Sequence, residues 1–177
     1  MKYKPDPTEV EEVQRWLFSG VPGGIVEMHR EPYSPHLVIQ AEKIREVCLF
    51  LRDKPELRFD YLTHQSGLDL GEKLAVVYRV LSLGRKRTLA MRVYVPREKP
   101  VIDTVSDIWP SAGWFEREAF DMFGFHFTGH PDLRRLLLPE DWEGFPLRKD
   151  YVDPMRYGGI DNRRTYWPEE EKVDETT

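Results

Sequence analysis

Cysteine is nearly missing from this chain: Cys48 stands alone among 177 residues. No disulfide can close within it. A standard iron–sulfur cluster needs about four thiolates, and one cysteine cannot supply them. Long apolar runs are missing too. The longest, 47–51, falls far short of the ~20 residues a membrane-spanning helix requires. Met1-Lys2-Tyr3-Lys4-Pro5-Asp6-Pro7 has no apolar core of a secretion signal. The chain is therefore expected in the cytoplasm, reaching a membrane only by docking. No G-x-G-x-x-G or Walker loop occurs, so no nucleotide site is indicated. Positive charge is in deficit: 26 Lys and Arg against 31 Asp and Glu leave −5, with a pI near 5.6. Nucleic acid as main partner wants the opposite balance. What is present, 40% hydrophobic and 32% charged residues, suits a globular domain plus an extension.

Periodicity predicts the elements in order. Thr8 and Glu11 form a capping box ahead of Val10, Val13 and Leu17, and Gly20 closes that helix. Ile25–Met28 and His36–Gln40 read as strands. Ala41–Arg52 is a helix with Ile44, Val47, Cys48 and Leu51 on one face, which makes Cys48 a small core residue rather than a reactive thiol. Leu57–Thr63 reads as a strand, followed by a loop marked by Gly67 and Gly71. Leu74–Leu83 is apolar on both faces, as a central strand would be. Gly84-Arg85 makes a hairpin turn. In Thr88–Val95 one face is apolar and the other mixed, so that side of the sheet is expected to lack a helical cover. The order α-β-β-α-β-β-β predicts an α+β fold, two helices layered on one mixed β-sheet. We place this domain at 1–100, a helix and interaction arm at 101–151, and a tail at 152–177. Met155–Trp167 has no sustained period, and the acidic end, Pro168–Thr177, reads as disordered.

The run from Trp109 to Tyr151 is unusual. It holds 10 of the chain's 22 aromatic residues in 43 positions. Phe115, Ala119, Met122 and Phe123 recur on one helical face, and Gly124 ends the helix. Arg117 and Asp121, four apart, are positioned to pair on another, exposed face, where a pair adds little. Phe125-His126-Phe127 alternates like a strand, and Gly129-His130-Pro131-Asp132 is turn chemistry. Pro131, Pro139, Gly144 and Pro146 forbid a long helix or central strand beyond it, so the segment is an ordered, irregular arm. Its rings either fold back onto the chain's own sheet or await a partner, since Trp, Phe, Met and Arg are enriched in interface cores.

Catalytic chemistry is poorly supported. His126 and His130 are spaced as H-x3-H, but Gly129 and Pro131 break the helix that would align them for a metal, and H-E-x-x-H is absent. His130 is better read as holding its turn by hydrogen bonds. Glu116 and Glu118 point to different faces and make no acid–base pair. Five cations (Arg117, Arg134, Arg135, Arg148, Lys149) are offset by eight acids in the run, against a nucleic-acid clamp. Arg134, Arg135 and Arg148 lie among apolar anchors, where Arg forms bidentate pairs with a partner's carboxylates. Glu116 to Glu118 are read chiefly as an internal lock of helix to arm.

Glu116-Arg117-Glu118, two residues, Asp121-Met122-Phe123, six residues, His130, three residues, Arg134, then Leu136-Leu137 resembles the signature of the 30 kDa (C) subunit family of the proton-translocating NADH:quinone oxidoreductase, respiratory complex I. Pro131-Asp132-Leu133-Arg134-Arg135, Pro139-Glu140-Asp141-Trp142-Glu143-Gly144 and Pro146-Leu147-Arg148-Lys149-Asp150-Tyr151 continue the likeness. It spans about 40 residues without a gap. It departs at Val152, where the family commonly has Pro. The resemblance implies the same α+β fold. It also implies a structural component of the peripheral arm, without cofactor or catalysis of its own, supporting electron transfer from NADH to quinone coupled to proton translocation. The assembled complex implies FMN, iron–sulfur clusters and quinone. The implied partners are the quinone-binding D subunit first, then the cluster-bearing B and I subunits, at the cytoplasmic face of the plasma (inner) membrane. Signature and interface residues are then Trp114, Phe115, Glu116, Arg117, Glu118, Asp121, Met122, Phe123, His130, Pro131, Asp132, Arg134, Arg135, Trp142, Arg148, Lys149, Asp150 and Tyr151. Two alternatives stay open. One is the equivalent subunit of a ferredoxin- or F420-fed quinone reductase or a membrane-bound hydrogenase; the other, remote, is a stand-alone metal-dependent hydrolase.

Overall fold

The computed structural model describes residues 7–31 and 33–161; the tail segment Pro168–Thr177 lies outside them. Helix α1 (Pro7–Gly20) turns Val10, Val13 and Leu17 inward. Strands β1 (Ile25–His29) and β2 (His36–Ile39) form an antiparallel hairpin. The helix expected from Ala41 divides into a 3-10 turn, Ala41–Lys43, and α2, Ile44–Asp53. Ile44, Val47, Cys48 and Leu51 have no accessible surface. Burial pushes the Cys48 thiol far up, so it is an inert core group. Strands β3 (Tyr61–Asp69), β4 (Lys73–Ser82) and β5 (Arg87–Pro96) form an antiparallel meander. The sheet order is β1-β2-β5-β4-β3, with β2 and β5 parallel. The fold is thus the α+β arrangement on a mixed sheet that the periodicity indicates.

β3 departs from the expectation. The strand runs through Gly67, where the glycine pattern predicts a loop, and Leu57 and Phe59 fill the core from the connection before it. Gly67 faces inward opposite Val76. A Cβ there would lie 2.5 Å from the Phe123 ring and 2.9 Å from Phe125. This glycine marks a close approach of another element, not a turn. A second correction concerns β4. Leu74, Val76, Tyr78 and Val80 are fully buried on the inner face, whereas on the outer face Val77 and Leu81 are half-buried and Arg79 is exposed. The strand is central by position but largely one-sided by burial: among the described residues no helix covers the outer face, where Ala75 alone of β4 is fully buried.

Strand β6 (Val101–Asp103) pairs in parallel with β7 (His126–Thr128), and helix α3 (Ala112–Phe123) lies between them in sequence. Ile102, Val105, Ile108, Trp109, Phe125 and Phe127 join the same core as α1, α2 and the sheet. Residues on both sides of position 100 therefore share one interior. Strands β8 (Arg156–Tyr157) and β9 (Ile160–Asp161) form a short hairpin through Gly158-Gly159, an element without a signal in the sequence pattern.

Candidate functional site

Helix α3 ends at Gly124, whose φ of 76° is left-handed and whose N–H donates to the Phe120 carbonyl at 2.8 Å. A side chain there would also strike the Phe145 ring, 2.5 Å from the Cβ position. Both constraints ask for glycine. The chain then passes through β7 and the His130 turn and returns as an arm along α3. Three charged side chains on α3 are buried: Arg117 and Asp121 hold that arm, and Glu116, expected to lock helix to arm, instead holds the segment before the helix.

Glu116 has no accessible surface. Its Oε1 accepts from the Val105 N–H at 2.8 Å, and its Oε2 accepts a short bond from the Thr104 hydroxyl. Burial raises its carboxyl to about 7, against the pull of the Thr104 and Val105 donors. His130 Nε2 lies 4.0 Å from Glu116 Oε2. His130 Nδ1 accepts from the Asp132 N–H at 3.0 Å, so Nε2 carries the proton and donates to the Gly113 carbonyl at 3.1 Å. Both nitrogens hold the turn, as expected, and neither is left for a metal. His126 is exposed on β7.

Arg117 and Asp121 overturn the exposed-pair expectation. Arg117 is 9% exposed and donates to the carbonyls of Arg134 (3.2 Å) and Arg135 (3.0 Å), with Asp132 at 4.0 Å. Asp121, fully buried, turns to the arm instead. Its Oδ2 accepts the backbone N–H groups of Leu136, Leu137 and Leu138 at 3.0, 2.7 and 2.9 Å, and its Oδ1 accepts from Arg135 at 2.8 Å. Burial alone would raise this carboxyl; the three N–H groups and the guanidinium outweigh it and hold it below the usual range. The two residues are four apart, but each bonds to the returning arm rather than to the other.

Arm donors also cap the C-terminal carbonyls of α3, which have no partner within the helix. Leu147 N–H donates to Met122 at 3.1 Å and Arg148 Nε to Phe123 at 2.6 Å. Arg135 reaches the Trp142 and Gly144 carbonyls at 2.7 and 3.1 Å. So Arg135 and Arg148, expected to face a partner's carboxylates, bond within the chain. Arg134 is exposed and, among the described residues, its side chain pairs with Asp132 two positions before it. At the far end, Lys149 N–H donates to Asp69 at 2.7 Å, Arg97 bonds Asp69 at 2.6 Å, and Arg97 also bonds Asp150. Asp69, Arg97 and Thr104 are site residues that sequence reasoning misses. Their partners lie 12 to 80 residues away, and no local pattern announces them.

Other signature residues divide by exposure. Phe123 is buried, and Phe115 and Met122 are half-buried against the core. Glu118, Pro131, Asp132, Lys149 and Asp150 are exposed. Trp142 lies tilted against the Tyr157 ring, centroids 4.8 Å apart, and Tyr151 lies over Gly144. Most of the rings are thus covered by the chain itself. What remains open is apolar but different: Trp114 at 61%, Leu137 at 64% and Leu147 at 54% exposure.

Comparison with known proteins places this arrangement. The profile of the family described as respiratory-chain NADH dehydrogenase, 30 Kd subunit, matches residues 37–156. The C subunit of the NADH-quinone oxidoreductase of Chloroherpeton thalassium is 39% identical over 158 residues, covering 88% of this chain and 66% of that protein. Its counterpart from Chlorobium phaeobacteroides is 47% identical over 128 residues, 70% of this chain and 76% of the relative. The chain spans just under two thirds of the length of several such relatives. Among solved structures, a trypsin-resistant fragment of Nqo5 matches with 31% identity and a TM-score of 0.57, over 72% of this chain and 100% of the fragment. A chain of the membrane-bound sulfane sulfur reductase, an archaeal respiratory membrane complex, matches with 25% identity and a TM-score of 0.65, over 81% and 86%.

Proposed function

This chain belongs to the family of the 30 kDa subunit of respiratory-chain NADH dehydrogenase, and on that premise we propose that it is a non-catalytic structural component of the peripheral arm of NADH:quinone oxidoreductase. It docks first against the quinone-binding D subunit and then beside the B and I subunits, at the cytoplasmic face of the membrane. There it supports electron transfer from NADH to quinone and the coupled translocation of protons. FMN, the iron–sulfur clusters and quinone belong to the neighbours. The one cysteine here is fully buried in the core and offers no ligand set for a cluster. Among the described residues no helix is long and apolar enough to cross a membrane.

One observation carries the reading: a rigid irregular arm that displays apolar side chains. Buried bonds fix residues 134–138 to Arg117 and Asp121 and residues 147–150 to α3 and Asp69. Between and beside these bolts Leu137, Leu147 and Trp114 face outward. A backbone ordered before binding loses little entropy on docking, and a few rigid apolar anchors carry most of an interface's energy.

The test is Trp114→Ala combined with Leu137→Ser in the native organism. Both residues are exposed, so the isolated chain keeps its thermal midpoint. Assembled complex on native gels is expected to fall roughly fivefold, with turnover per remaining complex unchanged. Normal abundance, with or without lost electron transfer, overturns the reading. Phe123→Ala is not a clean probe, because Phe123 packs against Gly67 in the core. The likeness to the archaeal sulfane sulfur reductase chain favours a second reading, the equivalent component of a related respiratory membrane complex with another donor. Oxidation of NADH or of reduced ferredoxin by the purified complex decides between them.

A further inference from the structure

The outer face of the five-stranded sheet carries only cations on its central strands, while Glu27 on the edge strand β1, opposite Val38, is paired with His29 at 3.2 Å. β2, β4 and β5 present Val38, Lys73, Val77, Arg79, Arg92 and Tyr94 there. Among the described residues none of Lys73, Arg79 and Arg92 has a carboxylate partner, although the chain as a whole is acidic at −5. Elsewhere Arg45, Arg87, Arg97 and Arg135 each hold an Asp or Glu. Lys73 rests on the Tyr94 ring at 4.0 Å, and Arg92 Nη1 donates to the Tyr94 hydroxyl at 3.2 Å. Two polar atoms on this face are shut off from water without a partner, Arg92 Nε and His36 Nε2. His36 is 3% exposed and stacks on His29 at 4.6 Å. Its Nδ1 donates to the Ser34 carbonyl at 2.9 Å, which leaves Nε2 bare. An unpaired buried polar group is costly, and a guanidinium whose one acceptor is a neutral hydroxyl keeps N–H groups free for a carboxylate.

We propose that this open face is a second docking surface, separate from the arm, for a segment of a partner polypeptide that carries a carboxylate between apolar side chains. It takes from the functional reading above only the setting, a multi-subunit complex. The floor between the cations is apolar, with Val77 and Leu81 half-exposed. It continues into a groove of about 380 Å³ whose wall is mostly apolar, with Val26, Val38, Tyr94 and Pro96, and includes one acid, Glu42, and one cation, Lys99. The cations stand apart, Lys73 and Arg79 at separate positions along β4 and Arg92 on β5, which suits side chains along a peptide better than a single phosphate. The acidic surplus of the whole chain opposes an anionic lipid surface.

The complex purified from native membranes tests this, with the photoreactive residue p-benzoylphenylalanine at Val77, or at Leu81 should Val77 disturb the sheet. A parallel probe replaces Leu137 on the arm. The expected result is an adduct from the sheet probe to a peptide of another polypeptide of the complex with Asp or Glu within about three residues of the link. Lys73→Glu with Arg79→Glu, both exposed, is expected to cut its yield at least about fivefold by setting like charges together. The proposal is overturned by no adduct, an adduct to phospholipid, an adduct to this chain itself, or a yield unmoved by charge reversal. A sheet adduct without an arm adduct sinks the arm reading and leaves this one standing; the reverse sinks only this one.

Discussion

Helix α2 and the arm beside α3 are both well ordered, but by different physics. α2 contributes four side chains with no accessible surface and no polar bond, each stabilising by about 1.5–3 kcal/mol through area alone. The arm has no regular structure from Pro131 to Tyr151. It is held by single polar bolts: one carboxylate on three consecutive N–H groups, one guanidinium on two consecutive carbonyls, and one aspartate on the sheet edge. Area is a distributed property and tolerates local change. A bolt is not, since removing one partner leaves the other buried and unpaired. The core can therefore exchange one apolar side chain for another of similar volume, while the arm stands or falls with named residues.

Asp121→Ala breaks that comparison hardest. It leaves the N–H groups of Leu136 to Leu138 without their acceptor and the Arg135 guanidinium without its carboxylate, on carbonyls alone. The expected cost is about 3–5 kcal/mol, concentrated in the arm. Amide exchange of residues 134–148 should rise sharply while the α2 amides stay protected until global unfolding. Uniform loss of protection across α2 and the arm would show that the two regions are one cooperative unit rather than a core with a bolted arm.

Glu116 gives the bolts a pH signature that area lacks. Its carboxyl ionises near 4.5 when exposed and near 7 in the fold, chiefly because it is buried. Between those values the unfolded chain has released the proton and the folded chain retains it. Stability therefore falls as pH rises from 4.5 to 7, by about 3 kcal/mol in all, and levels off above. Asp69 and Asp121 are held below their ordinary 3.8, so their contribution is lost only as pH falls below that value, outside this window. Glu116→Gln keeps an acceptor for the Val105 N–H and should flatten the slope. Denaturant unfolding of both chains from pH 4.5 to 8 measures it, and equal slopes would refute it.

The sequence speaks clearly where one physical rule acts on neighbouring residues. The α2 stripe, the one-sided β5 and the Gly124 stop all follow from local period or local φ. The signature residues of the arm are legible only through their resemblance to a family, because their partners are remote. Arg117 and Asp121 look like a local pair and are not; Asp69, Arg97 and Asp150 look unrelated and form one cluster. Gly67 is ambiguous in sequence between a turn and a close approach, and only the Phe123 ring decides. Gly67→Ala tests that decision. The added methyl meets two aromatic rings that belong to the core, so overpacking should cost about 1–3 kcal/mol. An alanine accepted without loss would mean that α3 is free to shift away from β3.

The neighbours Arg134 and Arg135 offer the smallest effect and the sharpest contrast. They share a charge, a backbone and a place in the signature. Arg135 is inside the bolt, with its guanidinium on Asp121 and two carbonyls. Arg134 is outside it, with a side chain 65% exposed and bonded to Asp132 two residues away. A pair in open water gains little from its charge and constrains two long side chains. Arg134→Ala should leave the thermal midpoint and the exchange of the arm where they were, whereas Arg135→Ala should approach Asp121→Ala in both. A matching loss at the two positions would mean that the arm is held by the positive charge of its arginines against an acidic chain, and the distinction between bolts and area would have to be redrawn as one between charge and area.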